Sequence, residues 1–317
     1  MPIVPVTPQN IARAAALLRE GQLVAFPTET VYGLGADATN GIAVARIFEA
    51  KGRPRFNPLI AHVASVAQAE EIGRLGAVSR RLAHVFWPGP LTLVVERQRE
   101  CPVSELATAG LDTIAIRVPS HPVAQMVLSA AGRPVAAPSA NRSGHVSATD
   151  ARHVDADLGP AVALVLDGGP TEHGVESTVI DVSGERPTIL RPGAITRQAL
   201  AEVLGDLPGS AAPVAARPMS PGQLESHYAP TARVRLDATS VAPGEALLAF
   251  GEVPFSHDGP MVNLSETGDL RMAAATLFAA LRELDRSGAT TIAVMPIPGD
   301  GLGEAINDRL ARSAAPR

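Results

Sequence analysis

Residues 23–38, LVAFPTETVYGLGADA, contain the pattern that decides the fold class. The apolar run from Leu23 to Phe26 predicts a buried strand, because near-continuous apolar residues are typical of strands covered on both faces. The hydroxyls and glycines that follow it predict either a ligand-binding strand end, where open α/β sheets hold their ligands, or an ordinary polar turn.

Similar apolar runs recur along the chain and alternate with helical patterns. Thr7 as an N-cap, Pro8 at the first helical position and Gly21 at the exit predict a helix before the quoted segment. Further predicted strands lie at residues 59–63, 91–95, 114–118, 135–137, 163–166 and 178–182. Further predicted helices lie at residues 41–50, 122–131 and 149–157, the last with Ser147 or Thr149 as its N-cap. Mixed elements of this kind predict an α/β sheet covered by helices, whose strand order the pattern does not specify.

The amino-acid composition changes between residues 205 and 230, which read GDLPGSAAPVAARPMSPGQLESHYAP. Their proline, glycine, alanine and serine content predicts a linker, longer than the ~12–15 residues of ordinary loops. Predicted strands at 234–236, 246–250 and 291–295, with helices at 270–286 and 302–311, then form a second α/β unit. We therefore predict a first domain at 1–206, a linker at 207–230 and a second domain at 231–317.

The composition limits the possible function classes. The 317 residues carry a net charge of −5, which disfavours a strongly basic nucleic-acid binder. The single cysteine, Cys101, cannot form an internal disulfide and is expected to be an ordinary structural residue. There is no signal-peptide pattern and no run of ~20 apolar residues, so we expect a cytoplasmic protein without membrane association. The sequence also lacks GxxxxGK[ST], HExxH, GxSxG and CxxC, so P-loop NTPases, zinc proteases and serine hydrolases find no support.

A basic segment, KGRPRFNPLIAH, occupies residues 51–62 and begins with the chain's only lysine, beside 26 arginines. Lys51, Arg53 and Arg55 follow a predicted helix, where cations stabilise the helix dipole without needing another role. Three cations within five residues, followed by Asn57 and His62, suit a polyphosphate equally well.

A single charge interrupts the apolar strand predicted in TIAIRVPSH at residues 113–121. Arg117 must be paired there, because an unpaired charge on a buried strand is costly. A protein carboxylate and a ligand carboxylate explain it equally well.

A loop of small polar residues, APSANRSGHVSATD, spans residues 137–150 after a predicted strand. Its hydroxyls and backbone N–H groups suit phosphates or a ribose. A serine- and asparagine-rich turn leading into a helix has the same composition.

Seven motifs span about residues 20–195: FPTETVYGLGADA, KGRP..NPL..H, FWPGPLTL, IRVPSH, APSANRSG, ESTV.D and LRPG. In these motifs and in their order the chain resembles the Sua5/YrdC family. The later SPG…HYAP segment and the α/β tail resemble the linker and C-terminal domain of the longer, Sua5-type members. The resemblance implies an L-threonylcarbamoyladenylate synthase with a twisted open-sheet catalytic domain, a basic cleft and a smaller Rossmann-like α/β C-terminal domain.

The resemblance also implies the ligands and their residues. Those expected around L-threonine are Thr28, His62, Arg117 and Ser177. Those expected to hold ATP or the adenylate are Lys51, Arg53, Asn57, Thr113, Ser139, Asn141, Ser147, Arg191 and Tyr228, with Lys51 and Arg53 as the catalytic pair. Threonine's amine would attack bicarbonate or CO2, and the carbamate would then attack the α-phosphorus of ATP and release pyrophosphate. Mg2+ would enter with ATP without a protein metal site, and downstream threonylcarbamoyl transferase proteins would use the product to modify tRNA.

Two alternatives and one departure accompany this interpretation. A non-catalytic RNA-binding module is opposed by the net charge, and the carbamoyltransferase role of hydrogenase maturation proteins is opposed by the missing zinc-finger cysteines. Gln223 and Ser226 stand where family linkers commonly carry a methionine and a basic residue, so no cationic linker contact is expected. Residues 218–230 are expected to form a lid over the cleft, with Tyr228 closing over the nucleotide.

Overall fold

The larger of two sheets carries the predicted site. The structure is a computed structural model that describes residues 2–210 and 226–316. In these ranges the larger sheet has eleven strands: β1 (Ile3–Pro5), β2 (Val24–Pro27), β3 (Tyr32–Asp37), β4 (Ile60–His62), β5 (Leu91–Glu96), β6 (Thr113–Arg117), β7 (Val135–Ala136), β8 (Leu164–Asp167), β9 (Thr178–Asp181), β10 (Thr188–Arg191) and β11 (Gly209–Ser210). Their order is β1-β8-β2-β3-β7-β4-β6-β5-β9-β10-β11, and parallel and antiparallel pairs are mixed. The α/β class predicted from the alternating runs is confirmed.

Eight α-helices accompany this sheet within the described residues. They are α1 (Pro8–Arg19), α2 (Gly41–Lys51), α3 (Val66–Ile72), α4 (Ala77–Phe86), α5 (Glu105–Thr108), α6 (Pro122–Ala131), α7 (Ala151–Leu158) and α8 (Arg197–Leu204). The predicted start of α1 is confirmed, since Thr7 Oγ1 accepts a hydrogen bond from the backbone N–H of Asn10 at 3.2 Å.

The N-cap predicted for α7 was wrong. Asp150 caps this helix, and its Oδ1 accepts the N–H of Arg152 at 2.8 Å. Ser147 is unavailable as a cap because its hydroxyl donates to a carboxylate of Glu176. The backbone N–H of Thr149 is turned toward the His153 ring instead.

The segment that decides the fold forms a hairpin. Strand β2 ends at Pro27, the polar residues turn the chain, and β3 returns antiparallel to β2. Glycine is required at Gly35, because a Cβ atom there would lie 2.7 Å from Cε1 of Phe26. Sequence patterns did not predict β3, since glycine and alanine depress strand propensity.

The two faces of the larger sheet differ in character. One face buries the main apolar core, in which residues such as Leu93 and Ile116 pack against helical side chains such as Ile47. The opposite face of β4, β6, β5, β9 and β10 carries a small apolar cluster of Ile60, Val94, Ala115, Val179 and Leu190. The parallel register of β4 and β6 sets His62 beside Arg117 at the strand ends. Polar groups are therefore gathered at one edge of this second face.

The second sheet contains four parallel strands among the described residues, in the order β12-β15-β13-β14. Its elements are β12 (Arg233–Arg235), β13 (Ala246–Ala249), β14 (Met261–Asn263), α9 (Leu270–Arg286), β15 (Thr291–Val294) and α10 (Gly303–Ala314). A small parallel sheet with two helices agrees with the predicted Rossmann-like unit, although β14 was not predicted.

The connection between the domains is described at its two ends only. Strand β11 pairs with β10, so the larger sheet extends to Ser210, beyond the boundary predicted after residue 206. Most of the predicted linker, with Gln223 and much of the predicted lid, lies outside the described residues. In the described ranges, no helix combines the length and apolar character required to cross a bilayer.

Candidate active site

A pocket opens on the polar edge of the larger sheet, where β4 and β6 end. The lining residues are Thr30, Val31, Arg53, Ile60, His62, Arg117, Ala137, Pro138, Ser139, Glu176, Ser177, Arg191, His227 and Tyr228. The predicted site residues among them are Arg53, His62, Arg117, Ser139, Ser177, Arg191 and Tyr228. The structure thus brings together residues up to 175 positions apart in the chain, while their roles toward ligands stay predictions.

Arg117 has a protein carboxylate as its partner. Its Nη2 donates to Glu29 Oε1 at 2.6 Å, and both side chains are nearly inaccessible, at 4% and 3% exposure. Its Nη1 donates to Thr30 Oγ1 at 2.9 Å and its Nε donates to the Gly89 carbonyl at 3.3 Å. A guanidinium has five N–H donors, and these contacts use three of them. The first of the two pairings left open by the sequence is therefore present, and contact with a threonine carboxylate stays a prediction.

Glu29 is held as an anion by its surroundings. Its Oε2 accepts the backbone N–H groups of Ser120 and His121 at 3.1 and 3.3 Å. Burial alone would raise the pKa of Glu29, but the charge and hydrogen bond of Arg117 outweigh it and lower the pKa to about 2. Glu29 belongs to the FPTETVYGLGADA motif, but no role was predicted for it.

The Glu29–Arg117 pair predicts a loss of stability in acid. The folded pKa of Glu29 lies below its ordinary value of 4.5, so its stabilisation is complete above pH 4.5 and is lost as the pH falls through about 2. We expect protonation of Glu29 to lower the free energy of unfolding by on the order of 3 kcal/mol. Urea unfolding of the wild type and of Glu29→Gln at pH 2–5 measures it. An equal pH slope in both proteins over this window would contradict the assignment.

His62 presents a neutral imidazole to the pocket. Its Nδ1–H donates to the carbonyl of Ile60 at 3.2 Å, and the residue is 3% exposed. Burial, reinforced by the charge of Arg117, lowers the pKa of His62 to about 3. The ring can therefore act as a hydrogen-bonding group at neutral pH without adding a charge.

Thr28 lies behind the pocket wall. Its hydroxyl donates to the Val31 carbonyl at 2.7 Å and hydrogen-bonds with Thr30 Oγ1 at 2.8 Å. It shapes the turn between β2 and β3 and is absent from the lining residues. Direct contact of Thr28 with threonine stays a prediction.

Lys51 lies under the 137–150 loop and is also absent from the pocket lining. Its Nζ donates to the carbonyl of Ser139 at 2.6 Å and to the carbonyl of Asn141. Burial, reinforced by the nearby Arg53 charge, holds the pKa of Lys51 well below its usual range. The described contact is a clamp on the loop, and its predicted contact with ATP remains a prediction.

The rest of the basic segment reaches the pocket through Arg53. Its Nε and Nη2 donate to the carbonyls of Asn57 and Pro58 at 3.3 and 3.0 Å. The side chain of Asn57 is fully buried, and neither of its polar atoms has a partner among the described residues. Leaving a buried amide unpaired is costly, but Asn57 is absent from the pocket lining, so its contact with ATP stays a prediction.

Ser177 and Arg191 form the far wall of the pocket. Arg191 Nη2 donates to the Ser177 carbonyl at 2.9 Å and to its Oγ at 3.1 Å. The same Oγ hydrogen-bonds with Thr92 Oγ1 at 2.8 Å, across two neighbouring strands. These contacts fix the position of the serine hydroxyl in the pocket lining.

The polar loop is braced by a buried carboxylate that sequence reasoning did not select. Ser147 Oγ donates to Glu176 Oε1 at 2.6 Å, and Arg309 Nε donates to Glu176 Oε2 at 3.0 Å. Burial raises the pKa of Glu176, but Arg309, Arg191 and the serine hydrogen bond lower it overall. The ESTV motif contains Glu176, whereas no local pattern marks Arg309 on α10.

The side chain of Asn141 holds the polar loop from within. Its Nδ2 donates to the carbonyls of Arg142 and His145, both at 2.8 Å.

His227 and Tyr228 close the pocket on the side of the second domain. The Tyr228 ring stacks on Phe278 with centroids 5.4 Å apart, and the Arg309 guanidinium lies 5.3 Å from the tyrosine centroid. The Tyr228 hydroxyl is buried without a partner among the described residues. Tyr228 is therefore placed to meet a ligand, while closure of residues 218–225 falls outside the described ranges.

Thr113 is not brought to this pocket. It begins β6, whereas Arg117 ends it, so about 13 Å of strand separates them. It lines a separate depression with residues including Arg97, Asp112 and Ser183. Its predicted contact with ATP finds no support in the pocket geometry and stays a prediction.

Two family models together match almost the whole chain. A Sua5_yciO_yrdC model, described as "Telomere recombination", matches residues 16–193. A model described as "Threonylcarbamoyl-AMP synthase, C-terminal domain" matches residues 195–315. Proteins named threonylcarbamoyl-AMP synthase from Bacillus subtilis and Pyrococcus abyssi are 41% and 40% identical. The alignments cover 97% of this chain in both cases, and 94% and 95% of the relatives.

A solved structure has the same fold over nearly its full length. The crystal structure of Pyrococcus abyssi Sua5 complexed with L-threonine superposes with a TM-score of 0.92 at 38% identity. The match covers 99% of this chain and 98% of that one. Escherichia coli YciO matches over 61% of this chain with a TM-score of 0.54 at 26% identity, which is the extent of the first domain. With both of its domains matched in order, this chain belongs to the Sua5/YrdC family and to its two-domain, Sua5-type members.

Proposed function

We propose that this chain condenses L-threonine, bicarbonate or CO2, and ATP into threonylcarbamoyl-AMP and releases pyrophosphate. The names of the full-length relatives and the threonine bound to the Pyrococcus abyssi structure support the reaction and one of its substrates.

One observation carries the proposal: three buried guanidinium groups surround a single pocket. Arg53, Arg117 and Arg191 all line it and are 3–7% exposed. Phosphoryl transfer depends mainly on positioning and on stabilising charge, so a cation cluster without a dedicated nucleophile fits the reaction.

The pocket has two halves that suit the two substrates. Arg117 and the neutral His62 lie together at the ends of β6 and β4, where a threonine carboxylate and amine can be bound. Arg53 and Arg191 lie close enough for their charges to interact, and together they can neutralise phosphates. The amine would add to bicarbonate to form a carbamate and water, and a carbamate oxygen would displace pyrophosphate from the α-phosphorus. Because carbamates are labile in water, the wall formed by Tyr228 has a chemical purpose.

Mg2+ fits this site as a companion of ATP. Among the described residues no cluster of three or more His, Cys, Asp or Glu side chains is arranged to hold a metal. Glu176 is the carboxylate of the pocket lining, and both of its oxygens are engaged, by Ser147 and by Arg309. Mg2+ is commonly bound through substrate phosphates, so we expect it to arrive as MgATP, where it would neutralise the leaving pyrophosphate.

An assay of the complete mixture tests the proposal. The protein with MgATP, bicarbonate and L-threonine is expected to release pyrophosphate and to form a species with the mass of threonylcarbamoyl-AMP. Omission of threonine, or chelation of Mg2+ by EDTA, is expected to stop both signals. Pyrophosphate release that ignores threonine would contradict the proposed reaction.

The product's use lies outside this chain. We propose that downstream threonylcarbamoyl transferase proteins use the adenylate to make t6A at position 37 of tRNA, in the cytoplasm. The competing function is an RNA-binding module without catalysis, which the net charge of −5 disfavours. Salt-sensitive RNA binding by a protein that does not turn over ATP would support that alternative.

A further inference from the structure

A cation from the second domain is buried against the pocket of the first. Arg309 lies on α10, and its side chain is 0% exposed. Its Nε donates to Glu176 Oε2 at 3.0 Å and its Nη1 donates to the Pro192 carbonyl at 2.7 Å. Asp308 supplies a second carboxylate, 2.8 Å from Nη1. A buried ion pair of this kind joins the two domains at the site itself.

The contacts of Arg309 with the pocket reach three residues that are expected to hold the nucleotide. Glu176 binds the Ser147 hydroxyl through its other oxygen, at 2.6 Å. Pro192, whose carbonyl Arg309 binds, directly follows Arg191. The Arg309 guanidinium lies 5.3 Å from the ring centroid of Tyr228. Ser147, Arg191 and Tyr228 are residues that the family resemblance assigns to the nucleotide.

The part of the threonine half around Arg117 is held by different contacts. Arg117 pairs with Glu29 and also contacts Thr30 and the Gly89 carbonyl. The second oxygen of Glu29 is bound by the backbone of Ser120 and its neighbour. These contacts all lie within the first domain, so loss of Arg309 leaves them intact.

We propose that Arg309 is a positioning residue, which holds Glu176 and through it Ser147 in the arrangement that receives ATP. The second domain then contributes part of the nucleotide half of the site without touching threonine. This inference rests on the proposed function, because it assumes that ATP occupies this half.

Substitutions of Arg309 and of Glu176, the two members of the ion pair, test the inference. Without Arg309, Glu176 loses its buried ion-pair partner and the N–H that binds its Oε2. Fewer interactions then oppose the cost of burying the carboxylate that accepts the Ser147 hydroxyl. Arg309→Met removes the charge at similar length. Arg309→Lys keeps the charge near Glu176 but loses the fork that also reaches the Pro192 carbonyl.

Steady-state kinetics should separate positioning from general damage. Arg309→Met is expected to raise the KM for ATP about tenfold or more and to leave the KM for threonine within about twofold. Arg309→Lys is expected to restore part of the ATP affinity. In a Glu176→Gln background, Arg309→Met is expected to add less than about twofold, because its effect passes through Glu176.

A matched control lies on the same helix. Glu304 of α10 forms an ion pair with Arg197 of the first domain at 2.6 Å and lies outside the pocket lining. Glu304→Gln therefore breaks a contact between domains without changing the site. It is expected to leave the KM for ATP unchanged.

The outcomes separate three cases. Equal rises in both KM values, or effects of Arg309→Met and Glu176→Gln that multiply independently, would overturn the inference. Should Arg309→Met fail to fold, the double variant Glu176→Gln/Arg309→Met, which removes both buried charges, is compared with Glu176→Gln alone. Equal KM values for ATP in these two proteins support the inference. A further tenfold rise of the KM for ATP in the double variant overturns it. Should the wild type make no adenylate, the proposed function fails, and calorimetric binding of MgATP to the same variants still tests Arg309.

Discussion

Arg117→Gln is expected to reduce synthesis at low threonine concentration about a hundredfold and to lower the free energy of unfolding by about 3–5 kcal/mol. The substitution leaves the Glu29 carboxylate buried without its cation, in a place where the two side chains are 4% and 3% exposed. It also removes the cation predicted to bind the threonine carboxylate. Urea unfolding and the KM values for threonine and ATP measure the two effects.

An arginine of the same domain serves as the control for Arg117. Arg133 pairs with the buried Asp37 at 2.6 Å but is 37% exposed and lies outside the pocket lining. Arg133→Gln is expected to cost less stability and to leave threonine use unchanged. If Arg117→Gln, studied well below its melting temperature, weakens ATP and threonine equally, Arg117 is a structural residue without a special part in threonine binding.

Lys51→Met is expected to lower adenylate formation at least about tenfold, which corresponds to about 1.4 kcal/mol in the barrier. Methionine matches the length of lysine but leaves the carbonyls of Ser139 and Asn141 without their donor. The 137–150 loop, which supplies Ser139 to the pocket, then loses its clamp. Turnover of the folded variant at saturating ATP and threonine measures the loss.

Arg46 provides the comparison for Lys51. It lies on the same helix, and its Nη1 donates to the carbonyl of Gly21 at 2.5 Å, away from the pocket. Arg46→Met removes a cation and its carbonyl contact without disturbing the loop, so near-normal turnover is expected. Wild-type turnover in Lys51→Met would show that neither the clamp nor a phosphate contact matters.

Local patterns predicted the elements that have strong local signals. The cap at Thr7, the exit at Gly21 and the apolar periodicity of α9 belong to single helices, and short apolar runs identify buried strands. Strand β3 was missed because its YGLGAD sequence contains small residues whose role is to let the hairpin close. Strand order was not predictable, since it is decided by packing between distant segments.

In the candidate site, too, residues within motifs were predicted, whereas contacts between distant segments were not. Motifs selected Arg53, His62 and Arg191, and the structure places all three in one pocket. Local sequence left the partner of Arg117 open, and the family resemblance favoured a threonine carboxylate. The protein carboxylate that pairs with Arg117, Glu29, was not identified because it lies 88 positions away. Glu176 and Arg309 were not selected, since their importance comes from an ion pair across two domains. Buried pairs of this kind have no periodicity or spacing that a single sequence reveals.

The ion pair between Glu176 and Arg309 has a consequence for how the protein matures. Its two members are 133 positions apart in the chain. A ribosome that adds about 5–20 residues per second makes Glu176 roughly 7–27 s before Arg309. During this interval the nascent first domain has the carboxylate but not its cation. Docking of α10 then supplies the cation, so the nucleotide half of the site matures after the threonine half, whose ion pair is already complete.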